Sequence, residues 1–195
     1  DEKIKVMIHL DNGGNNEMYR DWFDHYVERG EDFDVIGLSY YPFWHGTFDM
    51  LEYNMKDMAE RYHKELIIAE VSMGFTMEDY AAYERLAPSE RKGMATRQEL
   101  VDRIEFPMTK EGQRDFMKEL FRRLKQVPEH LARGFFYWEP AWIPVEGSGW
   151  ATKSSLAYIE DPGPCGNEWA NQALFDYEGH ALPSLAAIRD YQPEI

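Results

Sequence analysis

Glu65-Leu66-Ile67-Ile68-Ala69-Glu70 is a short apolar run that stops abruptly on a carboxylate, and three other runs stop in the same way, at His9, Tyr40 and Trp138. The runs predict strands over Ile4–His9, Phe33–Ser39, Leu66–Ala69 and Gly134–Trp138, each short and rich in β-branched or aromatic residues. Between them the apolar residues recur at helical spacing. Asn16 to Arg29 carries Met18, Trp22, Phe23 and Tyr26 on one stripe, and Asp49 to His63 carries Leu51, Met55, Met58 and Tyr62. A third helix is expected from Thr109, as N-cap, to Val127, and a short fourth from Leu182 to Tyr191 with Pro183 in its first turn. The order is four βα units. That is half of an eightfold barrel, whose complete form takes about 250 residues, or else a small open α/β domain that buries its sheet differently.

The connections are uneven. Gly74 to Met108 and Glu139 to Ala181 are long excursions that would project from the same end of the sheet as Glu70, where strand ends converge on a pocket. Small helices are expected in the first, around Met77 to Arg85 and Arg97 to Ile104. No repeat, low-complexity tract or linker interrupts the chain; Asp161-Pro162-Gly163-Pro164 reads as a loop turn, and one domain over residues 1–195 is expected.

With 195 residues and 44% hydrophobic content the chain can bury an ordinary core without metal or disulfide staples. Its 36 acidic and 21 basic residues give a net charge of -15, which argues against nucleic acid and leaves no basic stripe for an anionic membrane. Cys165 is alone, so no intrachain disulfide framework exists. No apolar stretch approaches the roughly 20 residues needed to span a bilayer, and the opening Asp1-Glu2-Lys3-Ile4-Lys5 is not a signal peptide. A charged opening directly before a strand suggests a piece whose earlier portion lies outside the sequence.

Four strand ends carry the candidate chemistry. A carboxylate ending a buried strand, followed by the uncharged Val71-Ser72-Met73-Gly74, suits a glycosidic nucleophile better than an acid leaving for water, so Glu70 is the leading catalytic candidate. The second strand runs into Ser39-Tyr40-Tyr41-Pro42-Phe43-Trp44-His45-Gly46, whose rings and polar edges suit a sugar. Tyr40 is expected to donate a hydrogen bond to Glu70, with Tyr41, Trp44 and His45 as further contacts. The plainer account is an aromatic core, with His45 satisfying a loop carbonyl. Trp138, Trp142 and Trp150 cluster after the fourth strand and read as sugar platforms, Trp138 first, whereas core packing competes for Trp150. Glu139 should alternate away from Trp138, which suits a peripheral role. His9 and Asp11 share strand parity and could face one pocket, or simply pair with each other. Glu17 belongs to a helix's first turn, where exposed amides explain it.

Phosphate loops, His-Glu-x-x-His, paired cysteines and the serine elbow are missing. Asp11, Asp32, Asp34, Asp161 and Asp176 are not spaced as a calcium loop. No cofactor is therefore expected; loops could still assemble a calcium site in space, but the visible loops give it no support.

Asp34-Val35-Ile36-Gly37-Leu38-Ser39-Tyr40-Tyr41-Pro42-Phe43-Trp44-His45-Gly46, Ile67-Ile68-Ala69-Glu70, Phe136-Tyr137-Trp138-Glu139-Pro140-Ala141-Trp142-Ile143-Pro144 and Asn171-Gln172-Ala173-Leu174-Phe175-Asp176 together resemble the glycoside hydrolase family 53 endo-β-1,4-galactanases, in their C-terminal half. The resemblance implies strands five to eight of a retaining (β/α)8 TIM barrel, with Glu70 as the nucleophile ending the seventh strand and His9, Tyr40 and Trp138 ending the fifth, sixth and eighth. It implies internal cleavage of the β-1,4-galactan of pectic arabinogalactan, and a secreted or cell-surface location. The family's acid/base glutamate, in an Asn-Glu pair ending the fourth strand, would precede Asp1 and belong to the missing N-terminal half. Two departures stand out. Some bacterial relatives bind calcium on an Asp-rich loop after the seventh strand, and Phe75 to Thr96 has no such cluster; Val71-Ser72-Met73 replaces the usual alanine-tyrosine or serine-tyrosine after the nucleophile. By itself the chain is expected to be inactive. The alternative class, a non-catalytic module that binds galactan, keeps the aromatic platforms and predicts no more than a modest change of affinity in Glu70→Gln.

Overall fold

The computed structural model describes residues 4–30, 32–78, 95–144, 152–158 and 169–192. Four strands, β1 (Met7–Leu10), β2 (Val35–Tyr40), β3 (Glu65–Val71) and β4 (Ala132–Tyr137), form one sheet in sequence order, every neighbouring pair parallel. The connections carry α1 (Asn16–Glu28), α2 (Phe48–Tyr62), the single turn α3 (Gln98–Val101) and α4 (Lys110–Leu124). After β4 come α5 (Lys153–Tyr158) and α6 (Pro183–Arg189).

Helix starts are set by local chemistry. The side chains of Asn15, Thr47 and Thr109 accept hydrogen bonds from the amides of Met18, Met50 and Gly112, each satisfying one otherwise unpaired donor at a helix start. The expected third and fourth helices form at shorter length, with Thr109 and Leu182 as their N-caps. In α1 the buried residues are Tyr19 and Phe23, whereas Trp22 turns outward and stacks on Tyr26 at 4.9 Å, so the core stripe is rotated from the expected one. The first strand begins at Met7 rather than Ile4; Ile4 and Val6 are exposed beside the sheet's edge. Residues 79–85 of the helix expected over 77–85, and the residues Trp150, Asp161 and Cys165, lie outside the described residues.

One face of the sheet is dry. Ile36, Leu38, Tyr40, Leu66, Ile68 and Val71 pack under Leu51, Met55, Phe116 and Leu120 of the helices. The helices follow the strand order, α1 on α2, α2 on α4 and α4 on α6. The opposite face carries Met7, His9, Gly37, Ser39 and Phe136, and Phe136 is 60% exposed. An open doubly wound sheet would have helices on both faces. Parallel strands in sequence order, with α1, α2, α4 and α6 packed in succession beside them among the described residues, are instead consistent with part of a barrel.

Candidate active site

Glu70 reaches the helix-free face through a bulge. Strict alternation would set it with Leu66 and Ile68, against the helices. Between Leu38↔Ile68 and Ser39↔Glu70, however, β3 spends one extra residue, and it does so again against β4 between Ile68 and Val71. The extra residue turns the strand end over: Val71 joins the buried face, and Glu70 comes out beside Ser39.

The phenol that meets Glu70 is that of Tyr41. Its hydroxyl donates to Glu70 Oε2 at 2.7 Å. Tyr40, expected in that role, is fully buried on the helix side, stacked parallel to Phe116, and its hydroxyl donates to the Gly46 carbonyl. The reason is parity: Tyr40 shares its face with Ile36 and Leu38, so the next residue faces the other way. Burial, then the bond to the Glu70 carboxylate, raise the Tyr41 phenol above its ordinary range, with Asp11 and Glu139 adding to the effect, so it stays a donor.

Around this pair the strand ends knit together. His9 Nε2 and Ser39 Oγ share a hydrogen bond of 2.8 Å. Asp11 pairs not with His9 but with His45, its Oδ1 lying 3.2 Å from Nε2. His45 Nδ1 lies 3.1 Å from the Tyr41 amide and 3.0 Å from the Ser39 carbonyl, so the carbonyl it meets belongs to strand β2 rather than to a loop. Burial lowers the imidazole below its usual value, against the opposing pull of Asp11, Ser39 and Glu70.

An aromatic wall adjoins Tyr41. Trp44, 46% exposed, meets the Tyr41 ring edge-on at 5.8 Å and the Trp169 ring at 6.3 Å, while Trp169 lies tilted on Tyr41 at 5.5 Å. Trp169 was not singled out in the sequence: it lies well after Trp142 and Trp150 in the second excursion, far from every strand end, and only folding brings it to Tyr41. Trp138 continues β4, its amide donating to the Val71 carbonyl, and its side chain follows Phe136 outward at 39% exposure. Trp142 is partly buried beyond it. Glu139 sits at φ +51°, in the left-handed region, which interrupts the simple alternation expected of it. Burial raises its carboxyl from the usual value.

Among the described residues, Asp176, Glu178 and His180 bring metal-ligating atoms within 4.8 Å of one another. The donor set does not favour an ion. Asp176 Oδ2 takes the Lys110 ammonium at 2.9 Å, and Oδ1 takes the amides of Glu178 and His180. Both of its oxygens already accept hydrogen bonds from protein donors.

The chain is similar to several known proteins. It is 38% identical to an uncharacterized protein of Niallia circulans over 97% of this chain and 46% of that protein. It is 33% identical to the endo-beta-1,4-galactanase of Bacillus subtilis over 95% of this chain and 45% of that protein. Among solved structures, the Ignisphaera aggregans GH53 catalytic domain superposes with a TM-score of 0.81 at 33% identity, over 97% of this chain and 47% of that one. The chain thus spans about half the length of the curated relatives it matches. The family model described as glycosyl hydrolase family 53 matches residues 1–188, and the chain belongs to that family.

Proposed function

We propose that residues 1–195 are one half of a single barrel domain, the C-terminal half with strands five to eight, of a retaining endo-β-1,4-galactanase. The observation that carries this reading is the Tyr41 hydroxyl bonded at 2.7 Å to a carboxylate that a bulge turns onto the helix-free face. A charge-assisted donor of this kind orients one oxygen and leaves the other free to attack. Glu70 attacks the anomeric carbon while an acid outside this chain protonates the glycosidic oxygen. The same group, as base, then activates the water that releases the covalent intermediate. In a retaining enzyme the two carboxyls stand about 5 to 5.5 Å apart.

The substrate is the β-1,4-galactan of arabinogalactan, a reading supported by the galactanase name of the Bacillus subtilis relative. Trp44, Trp138 and Trp142 offer ring faces to the apolar sides of its sugars, and His9 and Asp11 offer polar edges to its hydroxyls. No cofactor enters the mechanism, which needs two carboxyls and water. A polysaccharide substrate places the work outside the cell or at its surface.

The test uses the full-length protein and unbranched β-1,4-galactan. Endo-cleavage with a β-configured first product is expected, and Glu70→Gln should lower kcat by about 10⁴-fold while galactan binding persists. Undiminished cleavage by Glu70→Gln, or an α-configured first product, would overturn the assignment. The intact mass of the natural polypeptide, measured alongside, should exceed the 23.0 kDa of these residues.

A further inference from the structure

His45 has no ring nitrogen left for a sugar. The residue is 5% exposed, and both nitrogens have protein partners: Nε2 faces Asp11, and Nδ1 faces the Tyr41 amide and the Ser39 carbonyl. Its ring also stands edge-on to Tyr41, with centroids 5.4 Å apart. The two contacts at Nδ1 need opposite chemistry. An amide needs a lone pair there, and a carbonyl needs a proton.

The protonation states can be ranked on these contacts. A neutral ring carrying its proton on Nε2 donates to Asp11 and accepts from the Tyr41 amide. The other neutral form would set a lone pair against the Asp11 carboxylate and leave the Tyr41 amide without its acceptor. The doubly protonated ring satisfies Asp11 and Ser39 but abandons the Tyr41 amide, and Tyr41 is the residue whose hydroxyl holds Glu70.

We propose that His45, kept in its Nε2-protonated form by Asp11, is a positioning residue that anchors the Tyr41 backbone and thereby aims the Tyr41 hydroxyl at Glu70, releasing it when the ring takes up a second proton. The inference rests on Glu70 being the nucleophile. The charged and titratable groups facing the ring are Asp11 beyond β1, Glu70 on β3 and the Tyr41 phenol, with His9 one step away through Ser39. Burial holds the imidazole below its ordinary value, so the anchored arrangement prevails at neutral pH and is lost as pH falls through that lowered value. Asp11 acts in the opposite sense, favouring the second proton.

Two variants and one spectroscopic measurement test this on the full-length protein. The Asp11 side chain is 78% exposed, so its replacement leaves the core intact, and the readout is the position of the acid limb rather than KM. Asp11→Asn should move the acid limb of kcat/KM to lower pH by roughly half a unit, the effect of one exposed charge. His45→Asn offers an acceptor that does not titrate. It should lower kcat by no more than about tenfold, leave KM within about twofold and move the acid limb down. An acid limb unmoved in both variants, whatever the change in KM, would overturn the proposal. Independently of turnover, histidine and tyrosine ¹⁵N labelling should show an Nε2-protonated His45 and a Tyr41 amide signal that follows the ring's titration. An Nδ1-protonated ring, or a Tyr41 amide indifferent to it, overturns the anchoring. A protein that fails to cut galactan but passes the ¹⁵N test refutes the galactanase reading and leaves the His45 anchor standing.

Discussion

Tyr40 and Tyr41 are neighbours in the chain and serve opposite faces of the sheet. The Tyr40 phenol is sealed among Phe48 and Phe116, where its hydroxyl satisfies the carbonyl of a loop glycine; the Tyr41 phenol is aimed at Glu70. The two phenylalanine substitutions should therefore separate. Tyr41→Phe removes a hydrogen bond to a charged group, about 1.5 to 3 kcal/mol, and should lower kcat by roughly ten- to a hundredfold with little change in KM. Tyr40→Phe should leave kcat within about twofold while lowering the stability found by urea unfolding by about 0.5 to 1.5 kcal/mol. Steady-state kinetics on galactan with both variants decides, and equal losses of kcat would contradict the geometry. The aromatic density of residues 40–44 was legible in the sequence. Which ring would reach the carboxylate was not, because that depends on the face each residue takes.

The loops between elements impose a second constraint. The β1–α1 connection passes against the β2–α2 turn so closely that a Cβ on Gly14 would stand 2.0 Å from the His45 carbonyl oxygen, and one on Gly13 2.7 Å from that of Ser39. Backbone contact of this kind leaves no flexible side chain to yield. Gly14→Ala should therefore displace the turn that carries Trp44 and His45, lowering stability by about 1 to 3 kcal/mol. It should also reduce kcat more than Tyr40→Phe does. Thermal unfolding and kinetics of the one variant check both, and an unchanged melting temperature would show that the turn can move freely. Helix starts were readable because their capping is local: Thr109 needs only the amide of Gly112. The Ile4 end of the first strand was misjudged because an edge strand gains little from pairing where its neighbour has not yet begun, and β2 starts at Val35, opposite Met7.

Across the whole molecule, the return of the chain after β4 is tied to α4. Lys110 at the start of α4 holds Asp176, with the His180 amide assisting, and brings that carboxyl down to about 2. A carboxyl lowered on folding contributes stability that is present above its unfolded value, near 3.9, and disappears as pH falls through the folded one. Wild type should thus be more stable than Asp176→Asn at pH 6, and the difference should shrink as pH falls from about 4 towards 2. Urea midpoints over that range measure it; a difference independent of pH would point to packing rather than the ion pair.

The sequence by itself determined the succession of strands and helices, the position of a carboxylate at a strand end and the aromatic enrichment around it. Periodicity, capping and turn residues act within a few positions of the chain, so they can be read from it. Tertiary structure alone decided that Glu70 faces away from the helices, that Tyr41 rather than Tyr40 meets it, that Asp11 pairs with His45 rather than His9, and that Trp169 joins the wall. These outcomes follow from the register of β3 against both neighbours and from the meeting of distant loops. A one-residue slip in that register turns every later side chain to the other face, and no local pattern records on which strand the extra residue is absorbed.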